Sequence, residues 1–294
     1  MVRGQGEAPG FPGGEWLDEL VRQSLREDVG SGDVSTAVAV APGTRATGAL
    51  VARQAGVVAG LSLVARVYGA LDPDVDVEVL VADGSAVAAG RELVRLSGPA
   101  ASLLTGERTA LNFIQHLGGI ATLTARFVAA AGGTDCRVLD TRKTLPGYRA
   151  LAKYAVRCGG GDNHRLGLYD RVLLKDNHWA SGDAIAAMVA RARDTFPLLA
   201  IEVEVDTPAQ LAAVLPLGVE WIMLDNFTVA DVAAAVAARA AVAPATKLEV
   251  SGNVTLDTIG AYARTGVDAV SVGRLTHSAP ALDIGMDFDL RGGA

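Results

Sequence analysis

The chain has 294 residues, half of them hydrophobic, enough for one large domain or two modest ones with their own cores. Its 33 Asp/Glu outnumber 26 Lys/Arg for a net charge of −7, and aromatics make up only 5%, so nonspecific nucleic-acid binding is excluded: neither a sustained basic stripe nor a set of stacking rings is available. The Gly/Pro-rich start MVRGQGEAPGFPGGEW lacks an apolar run, and Ala-rich runs elsewhere meet a charge before they reach spanning length. No signal peptide or membrane anchor is therefore expected, and the chain is read as cytoplasmic.

After residues 1–14, read as a flexible N-terminus, residues 15–28 carry Trp16, Leu17, Leu20, Val21 and Leu25 at helical spacing, and the turn-rich DVGSGDVST closes that helix. Residues 44–54, 75–81 and 92–96 read as strands between Gly, Pro and Asp turns, with a helix near 61–71, an α+β pattern. A long Ala/Leu/Thr-rich helical region follows over 102–131, expected to break or offset at Gly118-Gly119. Cys136 and Cys158 are too few for a disulfide framework or a Cys-type zinc site and are read as reduced, buried thiols.

Beyond Cys136 short apolar strands (CRVLD, RVLLK, AIEVEVD, WIMLD, KLEVSG, AVSVG) alternate with Ala-rich helices, the βα signature. Six strands are fewer than the eight of a closed barrel, so an incomplete parallel α/β barrel is expected. Asp140, Lys175, Glu204, Asp225, Ser251-Gly252 and Gly273 stand at or near the strands' C-terminal ends, the face on which such barrels build active sites. Strict alternation over 201–206 turns Ile201, Val203 and Val205 toward the helices and Glu202, Glu204 and Asp206 into the barrel, where Lys175 and a bound Mg²⁺ are the candidate partners for the acids.

Charge is concentrated at 137–178, which holds nine Lys/Arg against four Asp beside a Gly-Gly-Gly turn. Arg142, Lys143, Arg157, Arg165 and Lys175 on short, Gly-rich segments suit a small ligand with several negative groups, Arg as a fork and Lys as a point charge. Arg149 and Arg171, and Arg157 on a second reading, fit surface or ion-pair roles. Ser251-Gly252-Asn253 and Gly273-Arg274 follow the last two strands and precede helical segments, a setting in which backbone N–H groups bind phosphate. His116, His164, His178 and His277 lack a zinc spacing, and no nucleophile elbow is present.

The segments ERTALNFIQHLGGIATLT, DTRKTLPGYRALAKYAVRCGGGDNHRLGLYDRVLLKDNH, IEVEVDT, IMLDNF, LEVSGNV and DAVSVGRLTHSAPALDIGMDF closely resemble the quinolinate phosphoribosyltransferases, that is, the carboxylating nicotinate-nucleotide pyrophosphorylases, from about Trp16 onward. The resemblance implies a type II phosphoribosyltransferase with an N-terminal α/β sandwich-like domain (15–118, joined by 279–294) and a C-terminal incomplete α/β barrel (119–278). It implies a homodimer in which Arg108 is donated across the interface. By that pattern Arg108, Arg142, His164, Arg165 and Lys175 form the quinolinate pocket, while Lys143, Glu204, Asp225, Ser251, Gly252, Gly273 and His277 serve phosphoribosyl pyrophosphate and its Mg²⁺. Two positions depart from it: His116 stands where an Arg is expected and Gly118 where a Ser is expected.

The implied reaction joins quinolinate to phosphoribosyl pyrophosphate and releases pyrophosphate and carbon dioxide, leaving nicotinate mononucleotide, a precursor of NAD. Glu204 or Asp225 would stabilise an oxocarbenium-like sugar, directly or through Mg²⁺, and Lys143 would neutralise the departing pyrophosphate. Three alternatives share parts of the pattern: a same-fold enzyme acting on another ring acid or associated with molybdenum transport, a Schiff-base aldolase using Lys175, and a phosphate-ligand sensor without turnover.

Overall fold

The computed structural model describes residues 10–179 and 184–290, so most of the stretch read as a flexible start, residues 1–9, lies outside the described residues, as do 291–294. The chain forms two compact units: one holds the chain up to Leu123 with Ala150–Gly160 and the segment from Ser278 onward, the other Thr124–Arg149 with Gly161–His277. Among the described residues no helix is long and apolar enough to cross a membrane.

In the first unit, helix α1 (Glu15–Val29) buries Leu17, Val21 and Leu25, four residues apart on one stripe, and ends at Gly30. The following segment, turn-rich in sequence, holds a short helix in place of the expected turn. This is α2 (Val34–Ala39), started by the Asp33 side chain, which accepts Thr36 N–H at 2.9 Å. Strands β1 (Arg45–Ala52), β2 (Gly56–Val57), β3 (Asp76–Val79), β4 (Ala86–Val87) and β5 (Glu92–Pro99) follow, with α3 (Ser62–Leu71) between β2 and β3. The last strand of the chain, β12 (Ile284–Asp289), adds to the edge of this antiparallel sheet in the order β12-β1-β5-β3, while β2 and β4 pair separately.

Helix α4 (Ala100–Ala130) runs unbroken through Gly118-Gly119, against the expected interruption. The two glycines serve close packing instead. A Cβ on Gly119 would lie 2.1 Å from the carbonyl oxygen of Pro280, and one on Gly118 would lie 2.9 Å from Leu282. Leu282 N–H donates to the Gln115 carbonyl at 2.9 Å and Gln115 Nε2 to that of Ile284 at 2.6 Å, so the chain's return segment lies directly on the helix. A serine at position 118 would meet Leu282, which accounts for glycine at that departure from the family pattern. His116 is half-buried, and burial lowers its pKa. Helix α5 (Arg149–Cys158) also joins this unit from Ala150, with Tyr154 Oη donating to Asp83 at 2.6 Å. The compact units thus divide the chain differently from the continuous 119–278 domain: 119–123 and Ala150–Gly160 belong with the antiparallel sheet. Both cysteines are buried thiols outside any disulfide.

The second unit is the incomplete parallel barrel that the periodicity predicts. Strands β6 (Arg137–Leu139), β7 (Val172–Leu174), β8 (Ile201–Val205), β9 (Trp221–Asp225), β10 (Lys247–Ser251) and β11 (Ala269–Ser271) are ordered β6-β11-β10-β9-β8-β7, all neighbours parallel. The edges are two strands consecutive in sequence, with Asp162 bridging to Leu139 beside the gap. Helices α7 (Ile185–Thr195), α8 (Pro208–Val214), α9 (Val229–Val242) and α10 (Leu256–Ala263) return the chain, and single turns α6 (Asp176–Trp179) and α11 (Arg274–His277) follow β7 and β11.

Register stacks the interior in layers. Glu202, Trp221 and Lys247 lie side by side, then Glu204, Met223 and Glu249, then Asp225 and Ser251 at the strand ends. The Trp221 ring carries Arg137, Arg171 and Lys247 at 5.3–5.4 Å, a cationic floor that a buried indole face can hold. Asp206 does not enter this interior: the strand ends at Val205, and Asp206 is exposed, its N–H donated to Gln210 of the following helix cap.

Candidate active site

At the end of β6 the buried Asp140 accepts the His164 N–H at 2.9 Å and Asn163 Nδ2 at 2.5 Å, which ties the loop after the Gly-Gly-Gly turn to the barrel mouth. This brings Arg165 to Arg142. Both are half-buried, and burial and then the like charge of Arg142 push the Arg165 guanidinium below its ordinary value. Arg142 Nε is buried with no hydrogen-bond partner among the described residues. Two cations held this close, one with an unused donor, are arranged for an anion.

Lys175, at the end of β7, pairs with Glu204 at 2.5 Å, the partner expected for the interior acids. A charge-paired ammonium is a poor Schiff-base nucleophile, which disfavours the aldolase alternative. Arg171, read as an ion-pair residue, binds Glu202 at 2.9 Å. Glu249 is the functional-region residue that the sequence reading missed. It is fully buried, on the same alternation as Lys247 and Ser251. Burial, then the charge of Glu202, raises its carboxyl well above the usual carboxylate range.

Asp225 and Ser251 are paired in register, and Asn226 and Asn253 both adopt positive φ just past them. Gly252 is required here: its φ is 93°, and a Cβ would lie 2.2 Å from Asn226 Oδ1. Lys143, Gly273 and His277 also meet, since a Cβ on Gly273 would lie 2.9 Å from Lys143 Cδ and 3.4 Å from His277 Nε2, while Thr276 Oγ1 donates to the Lys143 carbonyl at 2.7 Å. Arg274 is exposed on α11. Arg157 and Arg108 are exposed in the first unit, Arg108 on α4, whereas the other expected pocket residues belong to the second.

Two family models match the chain: the N-terminal domain of quinolinate phosphoribosyl transferase on residues 33–118 and its C-terminal domain on residues 120–287. The chain belongs to the quinolinate phosphoribosyltransferase family. A Mycobacterium leprae relative named nicotinate-nucleotide pyrophosphorylase [carboxylating] is 45% identical over 273 residues, 92% of this chain and 96% of that protein. A relative from Synechocystis, named a probable nicotinate-nucleotide pyrophosphorylase [carboxylating], is 42% identical over 92% of each chain. The solved structure of the nicotinate-nucleotide pyrophosphorylase from Francisella tularensis superposes with a TM-score of 0.89 at 37% identity, covering 97% of this chain and 99% of that one. In the barrel unit the site cations stand just past β6 (Arg142, Lys143) and on either side of β7 (Arg165, Lys175), while the acids lie on β8 (Glu204) and β9 (Asp225), neighbouring strands of one sheet.

Proposed function

We propose that this chain transfers the phosphoribosyl group of phosphoribosyl pyrophosphate to quinolinate with decarboxylation, giving nicotinate mononucleotide, pyrophosphate and carbon dioxide. The observation that carries this reading is the Arg142–Arg165 pair with its unused buried donor, set beside acid-bearing strand ends. A dicarboxylate ring answers the two guanidinium forks and Lys175. Each unit-charge contact at about 4 Å is worth roughly 4 kcal/mol at an effective dielectric near 20 before desolvation is subtracted, enough to favour a dicarboxylate over a monocarboxylate.

The ring nitrogen attacks the anomeric carbon as pyrophosphate departs. Glu204 and Asp225 stabilise the positive charge that develops on the sugar, and Lys143, beside Gly273 and His277, neutralises the leaving group. The ribosylated nitrogen is then a pyridinium that takes up the electron pair as the adjacent carboxylate leaves as carbon dioxide, and a proton replaces it on the ring carbon. Glu204 and Asp225, carboxylates on neighbouring strands, are hard oxygen donors that would hold Mg²⁺, and the ion would supply charge neutralisation there. Release of Lys175 toward a quinolinate carboxylate would free Glu204 for that role. The working form is a homodimer with Arg108 crossing to the partner's site, acting in the cytoplasm.

Incubation with quinolinate, phosphoribosyl pyrophosphate and Mg²⁺, following carbon dioxide release, tests the reading. Turnover should vanish with excess chelator, and activity with nicotinate but not quinolinate would sink the substrate assignment.

A further inference from the structure

His164 is expected to touch the ring acid, yet its imidazole is engaged by protein on both edges. Nδ1 accepts the Arg165 backbone N–H at 2.7 Å, and Nε2 lies 3.1 Å from Glu202 Oε2 and 3.6 Å from Glu249 Oε2. The ring is 7% exposed and both glutamates 0%. A nitrogen that accepts an N–H carries no proton, so the ring proton sits on Nε2, the nitrogen within ion-pair distance of both glutamates. Glu202 is in turn held by Arg171 Nη1 at 2.9 Å, and the Arg171 carbonyl accepts Arg165 Nη1 at 3.2 Å. The contacts close a circuit from Arg165 to His164, to Glu202, to Arg171 and back to Arg165.

We infer that this circuit is a positioning device: Glu202 and Arg171, acting through His164, fix both the backbone and the guanidinium of Arg165 for an anionic ring acid, and His164 is a positioning residue for Arg165, not a ligand of the substrate. A free arginine samples many rotamers, so a fork locked at its base and its tip loses less entropy when it grips a carboxylate. The like charge of Arg142 would otherwise drive Arg165 away, and the carbonyl of Arg171 is the contact that resists this. The functional half of this inference rests on the proposed reaction.

The test pairs kinetics with a readout independent of turnover. Glu202→Gln should raise KM for quinolinate about tenfold, leaving KM for phosphoribosyl pyrophosphate within about twofold and kcat much less affected. The same effect is expected from Glu202→Gln/Arg171→Met, which removes both charges together and serves if the single variant does not fold. Adding His164→Asn to Glu202→Gln should cost no more than the worse single variant, because both break one circuit. Nitrogen-15 histidine spectra of the intact protein should show His164, assigned by its loss in His164→Asn, protonated on Nε2 and not on Nδ1, and unchanged at saturating quinolinate. A folded Glu202 variant with normal quinolinate KM, fully additive losses, or a proton on Nδ1 would overturn the circuit. If the wild-type protein neither binds nor turns over quinolinate, the proposed reaction falls, and the spectrum alone then decides for or against the circuit.

Discussion

Arg142 and Arg165 owe their usefulness to an arrangement that costs stability. Two like charges, partly buried, with a buried Nε that has no hydrogen-bond partner among the described residues, are tolerated where an anion arrives to satisfy them. Arg142→Ala and Arg165→Ala should each lower kcat/KM for quinolinate by on the order of 10², with the melting temperature little changed or raised. Glu249 gives a second test at this scale. Its carboxyl is raised by burial and then by Glu202, so the folded state binds the proton more tightly than the unfolded chain does, and stability is lost as pH climbs from the ordinary carboxylate range toward the raised one. Glu249→Gln removes that equilibrium, and its melting temperature should exceed the wild type's by more at about pH 8 than at about pH 5. A pH-independent gap would show that Glu249 is ionised in the fold. Glu202 and Glu204 were legible from alternation on a single strand. Glu249 follows the same rule on β10, but one acid between Leu248 and Val250 is a weaker signal than two acids in a row of alternating positions, and only its neighbours across the sheet reveal what it faces.

At the scale of elements, the sequence shows where apolar stripes and strands lie and misreads what glycine does. Gly118-Gly119 carries a local signal to break a helix, each costing about 1 kcal/mol against alanine, and the helix continues because its partner segment approaches closely enough to need them. Gly119→Ala should therefore be destabilising by about 2 kcal/mol or more despite its better helix propensity, since the new methyl meets the rigid Pro280 carbonyl. Gly69, also within a helix, has nothing among the described residues within 4 Å of an added Cβ. Gly69→Ala should stabilise by up to about 1 kcal/mol. Equal effects of the two substitutions in urea unfolding would show that the contact at Gly119 is not what holds glycine there. Asp206 was misplaced for a related reason: alternation does not say where a strand stops, and the cap of the next helix, with Gln210 accepting the Asp206 N–H, decided it.

For the whole molecule, six βα repeats made the barrel readable, because each strand is short, apolar and tipped with a polar residue. The assignment of Arg108 was not readable from the repeats: it rests on family resemblance, and the residue is exposed on α4 in the first unit while the other pocket cations belong to the second. A two-fold dimer could deliver such a residue symmetrically to its partner's site. Arg108→Ala and Lys175→Ala homodimers should then each be nearly inactive, and co-refolding the two should restore turnover. In a mixed dimer one site would carry both defects and the other neither. With random mixing and independent sites the recovery reaches up to roughly a quarter of wild-type activity. The measurement is carbon dioxide release from heterodimers verified by differently tagged subunits. Absence of recovery would place Arg108 in the service of its own subunit, or couple the two sites, and would remove the requirement that this enzyme be a dimer in order to work.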